Sequence, residues 1–341
     1  MTDEPAPEPM AISGIHDFIH GHAAGDFNRM LEFWAYFGFE PVAEGELHAA
    51  QAKALYGHAS DLKSVKLAHP GCDTCDTGYV RLQFWSELAN EGLGSAKAID
   101  VGGRWMGIYV RDGMRVSEAI HGEKIKGNHD WSLTALVRAA FAWPEPQISL
   151  AAPFMGLREF VALGDEFRLA FVERVGFERP GFGTFAENLP FQNTEGTHAN
   201  IVQPVGGFST DFYKEVFGLV TMANGEAHDS GEEAPTIEAL KLDDGQTFCI
   251  ERLVHPDSPG GMLQVYSPYS GEKDLRDISR IGARGLGCYS YRVRDIAEFR
   301  EAAASAGAQN ITEVCDNEFG EKSICFDAPD GVYWTVSEQP E

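Results

Sequence analysis

The chain reads as an α+β protein built from four copies of one strand–helix–three-strand unit, βαβββ, paired into two open barrels. Three observations carry this reading. Strands opening at His16, Trp105, His198 and Cys288 lie 89, 93 and 90 residues apart. An amphipathic helix that stops at a glycine follows each of them. Each unit then closes on an extended segment: YVRLQFW (79–85), FRLAFVER (167–174), TFCIERLV (247–254) and VYWTVSE (332–338). Self-similarity at a fixed period marks a repeated building block.

The first unit opens as IHDFIHGHAAGDFNRMLEFWAYFGFE, residues 15–40. Met30, Phe33, Trp34 and Phe37 fall at the i, i+3, i+4, i+7 spacing of a helix face turned to a core. Gly38 supplies the left-handed residue that ends such a helix. The second unit, WMGIYVRDGMRVSEAIHG, turns Val116, Ala119 and Ile120 inward before Gly122. In the third, THANIVQPVGGFSTDFYKEVFGL, Phe212, Val216 and Phe217 precede Gly218. The fourth, CYSYRVRDIAEFREAAASAGA, places Ile296, Phe299 and Ala303 on one face before Gly307. Between helix and closing strand lie further extended runs, SVKLAH, REFVALG, IEALKL and KSICFDA. Residues 122–150 read as an insertion with helical ALVRAAFAW inside it.

Two units in succession give each barrel. Residues 12–174 form an N-terminal domain and 197–341 a C-terminal one, after an acidic, proline-rich disordered tail at 1–11. The segment 175–196 combines glycine, proline and polar residues without periodicity, as a linker does. Its PGFGTF also suits a strap over a pocket mouth.

Composition narrows the function. The chain has 52 acidic against 27 basic residues, a net charge of −25, which repels phosphate backbones and anionic lipid heads. Nucleic-acid and membrane partners are therefore not expected, and no apolar run approaches the roughly 18 residues of a membrane helix. Six cysteines without an export signal read as reduced thiols of a cytoplasmic protein. Cys72 and Cys75 form a lone CxxC in a loop, with no second pair to complete a zinc knuckle. Catalytic-serine elbows, phosphate loops and HExxH are absent.

FYKEVFGL (212–219), LEFWAYFGFE (31–40), VRDIAEFREAAASAGA (293–308) and FDAPDGVYW (326–334) resemble the vicinal oxygen chelate superfamily. That superfamily includes glyoxalase I, bleomycin-resistance proteins, extradiol dioxygenases and epimerases. The resemblance spans nearly the whole chain as four modules in two barrels. It implies a small-molecule ligand in a cup between two modules, and commonly a divalent metal there; the aromatic content of 11% suggests that the ligand is aromatic or apolar. It leaves a homodimer open.

His198 lies 15 residues before Tyr213, where metal-binding members carry their first histidine. The resemblance then puts Cys288 in the place of a dioxygenase's second histidine and Thr335 in that of its glutamate. Cys249 and Glu251 stand at the comparable strand of the third module. A metal set of His198, Glu251 and Cys288 follows, suited to Zn, Mn, Fe, Co or Ni, beside a reading of the cup as metal-free. The two-histidine, one-carboxylate triad of iron oxygenases does not assemble, which argues against ring-cleaving dioxygenase activity.

In the first half, His16, His20 and His22 alternate on one side of an extended strand. His16 or His20 is then the candidate for moving a proton, with Arg168 fixing an anionic or carbonyl oxygen. Tyr291 is a candidate acid or orienting group in the other half. The function expected is isomerase, epimerase or lyase chemistry through an enolate or similar oxyanion, stabilised by metal or by Arg and His. The alternative is a metal-free protein that sequesters a small molecule.

Overall fold

The computed structural model describes residues 9–127, 131–140 and 155–340. The first module comprises β1 (Asp17–Ala23), α1 (Phe27–Ala35), β2 (Glu40–Leu47), α2 (Ala49–Tyr56), β3 (Leu62–Ala68) and β4 (Tyr79–Trp85). The second runs β5 (Arg104–Val110), α3 (Gly113–Ile125), β6 (Ser132–Leu133), β7 (Val137–Ala140), β8 (Gly156–Leu163) and β9 (Arg168–Val175). The third has β10 (Asn193–Val202), α4 (Asp211–Phe217), β11 (Val220–Thr221), β12 (His228–Ser230), α5 (Ala234–Leu240), β13 (Phe248–His255) and β14 (Ser258–Pro268). The fourth closes with β15 (Gly285–Val293), α6 (Ile296–Ser305), β16 (Cys315–Asp316), β17 (Lys322–Asp327) and β18 (Tyr333–Glu338). The fourfold βαβββ repeat is therefore present.

Within each module the first and last strands run parallel: β1 with β4, β5 with β9, β10 with β14, β15 with β18. Modules join by antiparallel pairing of their first strands. β1 pairs with β15, and β5 with β10. One 8-stranded sheet thus holds modules one and four, and one 10-stranded sheet holds modules two and three. Chain order had suggested one with two and three with four. The ladder corrects that pairing, because any first strand offers the same antiparallel edge and periodicity does not say which copy takes it.

The glycine stops explain helix lengths. Gly218, at φ 76°, caps α4, and Gly307, at φ 93°, follows α6. Asp295 starts α6 by accepting from the backbone N–H groups of Ala297 (2.8 Å) and Glu298 (2.9 Å). In the second module the helix passes through Gly122 and ends before Gly127, at φ 77°. IEALKL is largely helical, within α5, and Val137–Ala140 of the expected helix ALVRAAFAW form a strand. Residues 141–143 of that expected helix lie outside the described residues, as do residues 1–8 of the expected tail. Ala11 is anchored, its N–H bonded to the Phe217 carbonyl at 3.2 Å.

One apolar core joins all four modules on the helix-covered faces of the two sheets, with Phe18, Trp34, Ile108, Phe171, Ile201, Phe217, Tyr291 and Trp334 among its members. Tyr289 crosses between the sheets, its hydroxyl 2.8 Å from the Asn200 carbonyl and 3.0 Å from that of Trp105. The opposite, concave face of each sheet forms a hollow, and the two hollows differ.

In the hollow of modules one and four, the turn 317–321 reaches inward. Ser64 Oγ (2.9 Å), Gln83 Nε2 (3.1 Å) and the Tyr56 hydroxyl all donate to the Glu318 carboxylate. Arg81 pairs with Asp17 and stands 3.6 Å from Glu318. Phe319 lies beneath Arg81 and Lys66, its centroid 5.3 and 4.9 Å away. That hollow is filled by the chain itself.

Candidate functional site

The hollow of modules two and three keeps a cavity of about 700 Å³, within the usual range for a small-molecule site. Trp105 from β5, Phe248 from β13 and Tyr266 from β14 make one aromatic wall, with Tyr266 5.2 Å from each of the other two rings. Polar groups enter from four strands: Glu159 from β8, His198 from β10, Arg252 from β13 and Gln264 from β14.

His198 owes its setting to an irregularity in β10. Gly196 faces Ile108 and His198 faces Gly107, so one extra residue, Thr197, is inserted between them. The bulge puts Thr197 Oγ1 3.1 Å from the Gly107 carbonyl and 3.1 Å from His198 Nδ1. The hydroxyl has a single proton, which it gives to the Gly107 carbonyl. His198 Nδ1–H therefore donates to Thr197, and the Nε2 lone pair is left for the cavity. No hydrogen bond among the described residues uses Nε2. Burial, and then the charges of Arg174 and Arg252, push the imidazole down to about 3, so it is neutral at physiological pH. The ring lies on the backbone of Gly107, where a Cβ would come within 1.8 Å of its Cε1.

Glu159 is a half-buried carboxyl without ion pair or hydrogen bond among the described residues. Burial pushes it up to about 7, against the opposing pull of the Arg252 cation. Arg252 likewise has no side-chain partner among the described residues. Its cross-strand neighbour is Gln264, whose Oε1 accepts from the Tyr266 hydroxyl at 2.8 Å. That bond leaves the Gln264 amide N–H groups to donate into the cavity.

The other residues singled out in the sequence lie elsewhere. His20 and His22 do share one side of β1, their rings stacked 6.3 Å apart, but that side faces α1, where His20 meets Trp34 at 5.2 Å. The hollow-facing positions of that strand are Asp17 and Ile19. His16, just before β1, stands beside the hollow-facing Asp17, its Nε2 3.5 Å from that carboxylate, its Nδ1 2.9 Å from the Asp76 carbonyl and its ring 4.7 Å from Tyr79. Arg168 is fully engaged by main-chain carbonyls, of Arg104 (2.7 Å), Gly94 (2.8 Å), Ala96 (3.0 Å) and Lys97 (3.3 Å). It pins the segment before β5 and addresses no cavity. Tyr291 packs under Phe217, 4.5 Å away.

The three residues read as metal ligands are not brought together. Glu251 is on the helix side of β13, held by Thr210 (2.6 Å), Lys214 (2.7 Å) and Thr221 (2.5 Å). Cys288 is in the core of the other hollow, with Ile19 and Cys325. The parity of β13 explains the miss. FCIERLVH is apolar on both faces, and the side facing the cavity is Phe248, Ile250 and Arg252 rather than Cys249 and Glu251. Arg252 and Glu159 carried no motif; the one available signal was an adjacent pair of opposite charges in each of two largely apolar strands, Arg158–Glu159 and Glu251–Arg252.

Among the described residues no three His, Cys, Asp or Glu side chains converge. In the cavity His198 stands with one carboxyl, Glu159, and with the Arg252 guanidinium, which would repel a divalent cation. This donor set does not fit the metal centre that the fold commonly carries. All six cysteines are free thiols. No helix among the described residues is long and apolar enough to cross a membrane.

No family model matches the chain, and no curated protein matches its sequence. Solved structures do. A "putative dioxygenase" from Bacillus subtilis superposes with TM-score 0.55 at 15% identity, over 98% of this chain and 87% of that one. Glyoxalase I from Zea mays superposes with TM-score 0.55 at 12% identity, over 96% of this chain and 92% of its own. The chain therefore has the vicinal oxygen chelate fold, in its four-module, two-sheet form.

Proposed function

We propose that this protein is a small-molecule isomerase, epimerase or lyase whose reaction passes through an enolate-type oxyanion in the cavity of modules two and three. Glu159 is the group that moves the proton. Its carboxyl near 7 is matched to proton transfer at neutral pH, where a donor or acceptor is most effective. The Arg252 cation, backed by the Gln264 amide, faces the oxygen on which negative charge develops, and preorganised donors in a low-dielectric hollow stabilise such charge strongly. His198 Nε2 accepts a hydrogen bond from a substrate hydroxyl or enol and fixes its orientation. Fold alone does not specify activity. The observation that carries the proposal is the pairing of an unpartnered, near-neutral carboxyl with an unpartnered guanidinium in one aromatic-walled cavity.

The test is deuterium wash-in from heavy water into carbonyl compounds with an acidic α-hydrogen, followed by proton NMR. Wild-type protein should catalyse exchange, and Glu159→Gln should lose roughly 10²–10⁴-fold of it. Tight binding without any exchange would instead identify a sequestering protein.

A further inference from the structure

Three guanidinium groups gather at or just behind this cavity, and no carboxylate among the described residues is paired to any of them. Arg252 stands in the wall. Arg179 lines the mouth, its guanidinium 4.1 Å from the Phe182 ring and its Nη2 3.0 Å from the Met222 sulfur. Arg174 lies behind them, 3.6 Å over the Tyr109 ring, and donates to the carbonyls of Phe182 (2.7 Å) and Arg179 (3.3 Å). Elsewhere in the molecule half-buried arginines have carboxylate partners: Arg158 with Glu173 at 2.7 Å, Arg280 with Asp327 at 2.7 Å, Arg292 with Glu321 at 2.8 Å. A chain with 52 acidic and 27 basic residues has no shortage of counter-ions. Burial disfavours the charge on Arg179; Tyr109 opposes that effect, and the neighbouring cations Arg174 and Arg252 add to it more weakly. Like charges gathered in a partly desolvated hollow are costly unless an anion joins them.

We infer that the substrate is a small carboxylate with an apolar, ring-sized body, its carboxylate held at the mouth by Arg179 with Arg174 behind it. The planar guanidinium fork matches a carboxylate in two parallel hydrogen bonds. Arg179 has no oxygen acceptor of its own among the described residues; its one side-chain hydrogen bond goes to the weak acceptor Met222 Sδ. The aromatic wall of Trp105, Phe248 and Tyr266 receives the body, and Arg252 remains for the reacting oxygen. This inference rests on the reading of the cavity as the reaction site.

Calorimetric titration with phenylacetate and 3-phenylpropionate, each against its neutral amide, tests it. A carboxylate should bind the wild-type protein roughly tenfold or more tighter than its amide, the ratio expected of a charge-assisted pair. In Arg179→Gln that preference should collapse, with the carboxylate weakened far more than the amide, and Arg179→Lys should restore part of it. Circular dichroism confirms that each variant is folded. Equal binding of acid and amide, an undiminished preference in Arg179→Gln, or no carboxylate binding at millimolar concentration overturns the inference. Failure of the proton-transfer reading looks different: the carboxylate preference persists, but the deuterium wash-in of the wild-type protein is absent.

Discussion

Arg81 and Glu318 face each other 3.6 Å apart inside the hollow of modules one and four, both side chains buried. Glu318 occupies there the place a ligand's anion would take in an empty cup, with Tyr56, Ser64 and Gln83 also donating to it. Removing Glu318 leaves Arg81 paired with Asp17 but takes the acceptor from the buried donors of Tyr56, Ser64 and Gln83. Glu318→Ala should therefore destabilise the protein by about 1–3 kcal/mol for each donor left unsatisfied, read from urea denaturation. Ligand affinity in the other hollow should not change, and a parallel loss of ligand affinity would contradict the separation of the two hollows.

His198 and Gly107 give the second prediction. A methyl group at Gly107 would land on the imidazole, and the only relief is rotation of the ring away from Thr197. Gly107→Ala should cost about 1–3 kcal/mol through overpacking and should move the His198 resonances in a histidine NMR spectrum. It should also abolish the exchange reaction. An unshifted His198 signal would mean that the ring is not seated on that backbone.

Glu159 sets the expected pH dependence. Its carboxyl is held near 7 by burial, with Arg252 opposing, and Arg179, His198, Gln264, Tyr109 and Tyr266 are among the other polar groups of the cavity. If the ionised form accepts the substrate proton, the wash-in rate at saturating substrate rises with pH and levels off above about 7. The Glu159→Gln variant should lose that inflection along with the rate. Persistence of the inflection in the variant would assign it to another group.

Acid should unfold this protein early. His20 and His22 are fully buried, and desolvation holds them down to about 4 and about 3. Arg29, Arg284 and Glu166 are the charged groups around them. An unfolded histidine takes up its proton near 6.5, while the folded rings stay neutral to lower pH. Between those values the unfolded state binds more protons, so stability falls as pH drops below about 6.5. Each ring contributes roughly 1.4 kcal/mol per pH unit there. His22→Phe should flatten the slope by that amount in denaturation series from pH 6 to 4, with the melting temperature of the variant as the control for packing. An unchanged slope would show that His22 protonates freely in the fold.

The fold was legible because helix faces and glycine stops repeat at near-constant spacing, and packing physics turns that repeat into modules. Helix α4 ends at Gly218 as the sequence suggests. Module pairing was not legible, since β5 and β15 present equivalent edges to their partners. Of the polar residues lining the cavity, His198 was singled out in the sequence, though as a metal ligand, because its distance from the α4 aromatics is fixed by one turn and one loop. Glu159 and Arg252 were missed for a reason of parity. On a strand apolar on both faces, hydrophobicity cannot tell the concave side from the helix side, and one residue of slip exchanges Arg252 for Glu251. The same slip sent His20 to the hollow in expectation and beneath α1 in fact.

The interleaving of modules has a consequence for the integrity of the molecule. A backbone nick between residues 176 and 192 would separate modules one and two from modules three and four, yet each fragment would carry half of both sheets. The pieces would stay clasped through two independent seams, β1 against β15 and β5 against β10, like a dimer whose subunits had traded partners. Co-expressed halves should copurify, and neither half alone should form a complete pocket.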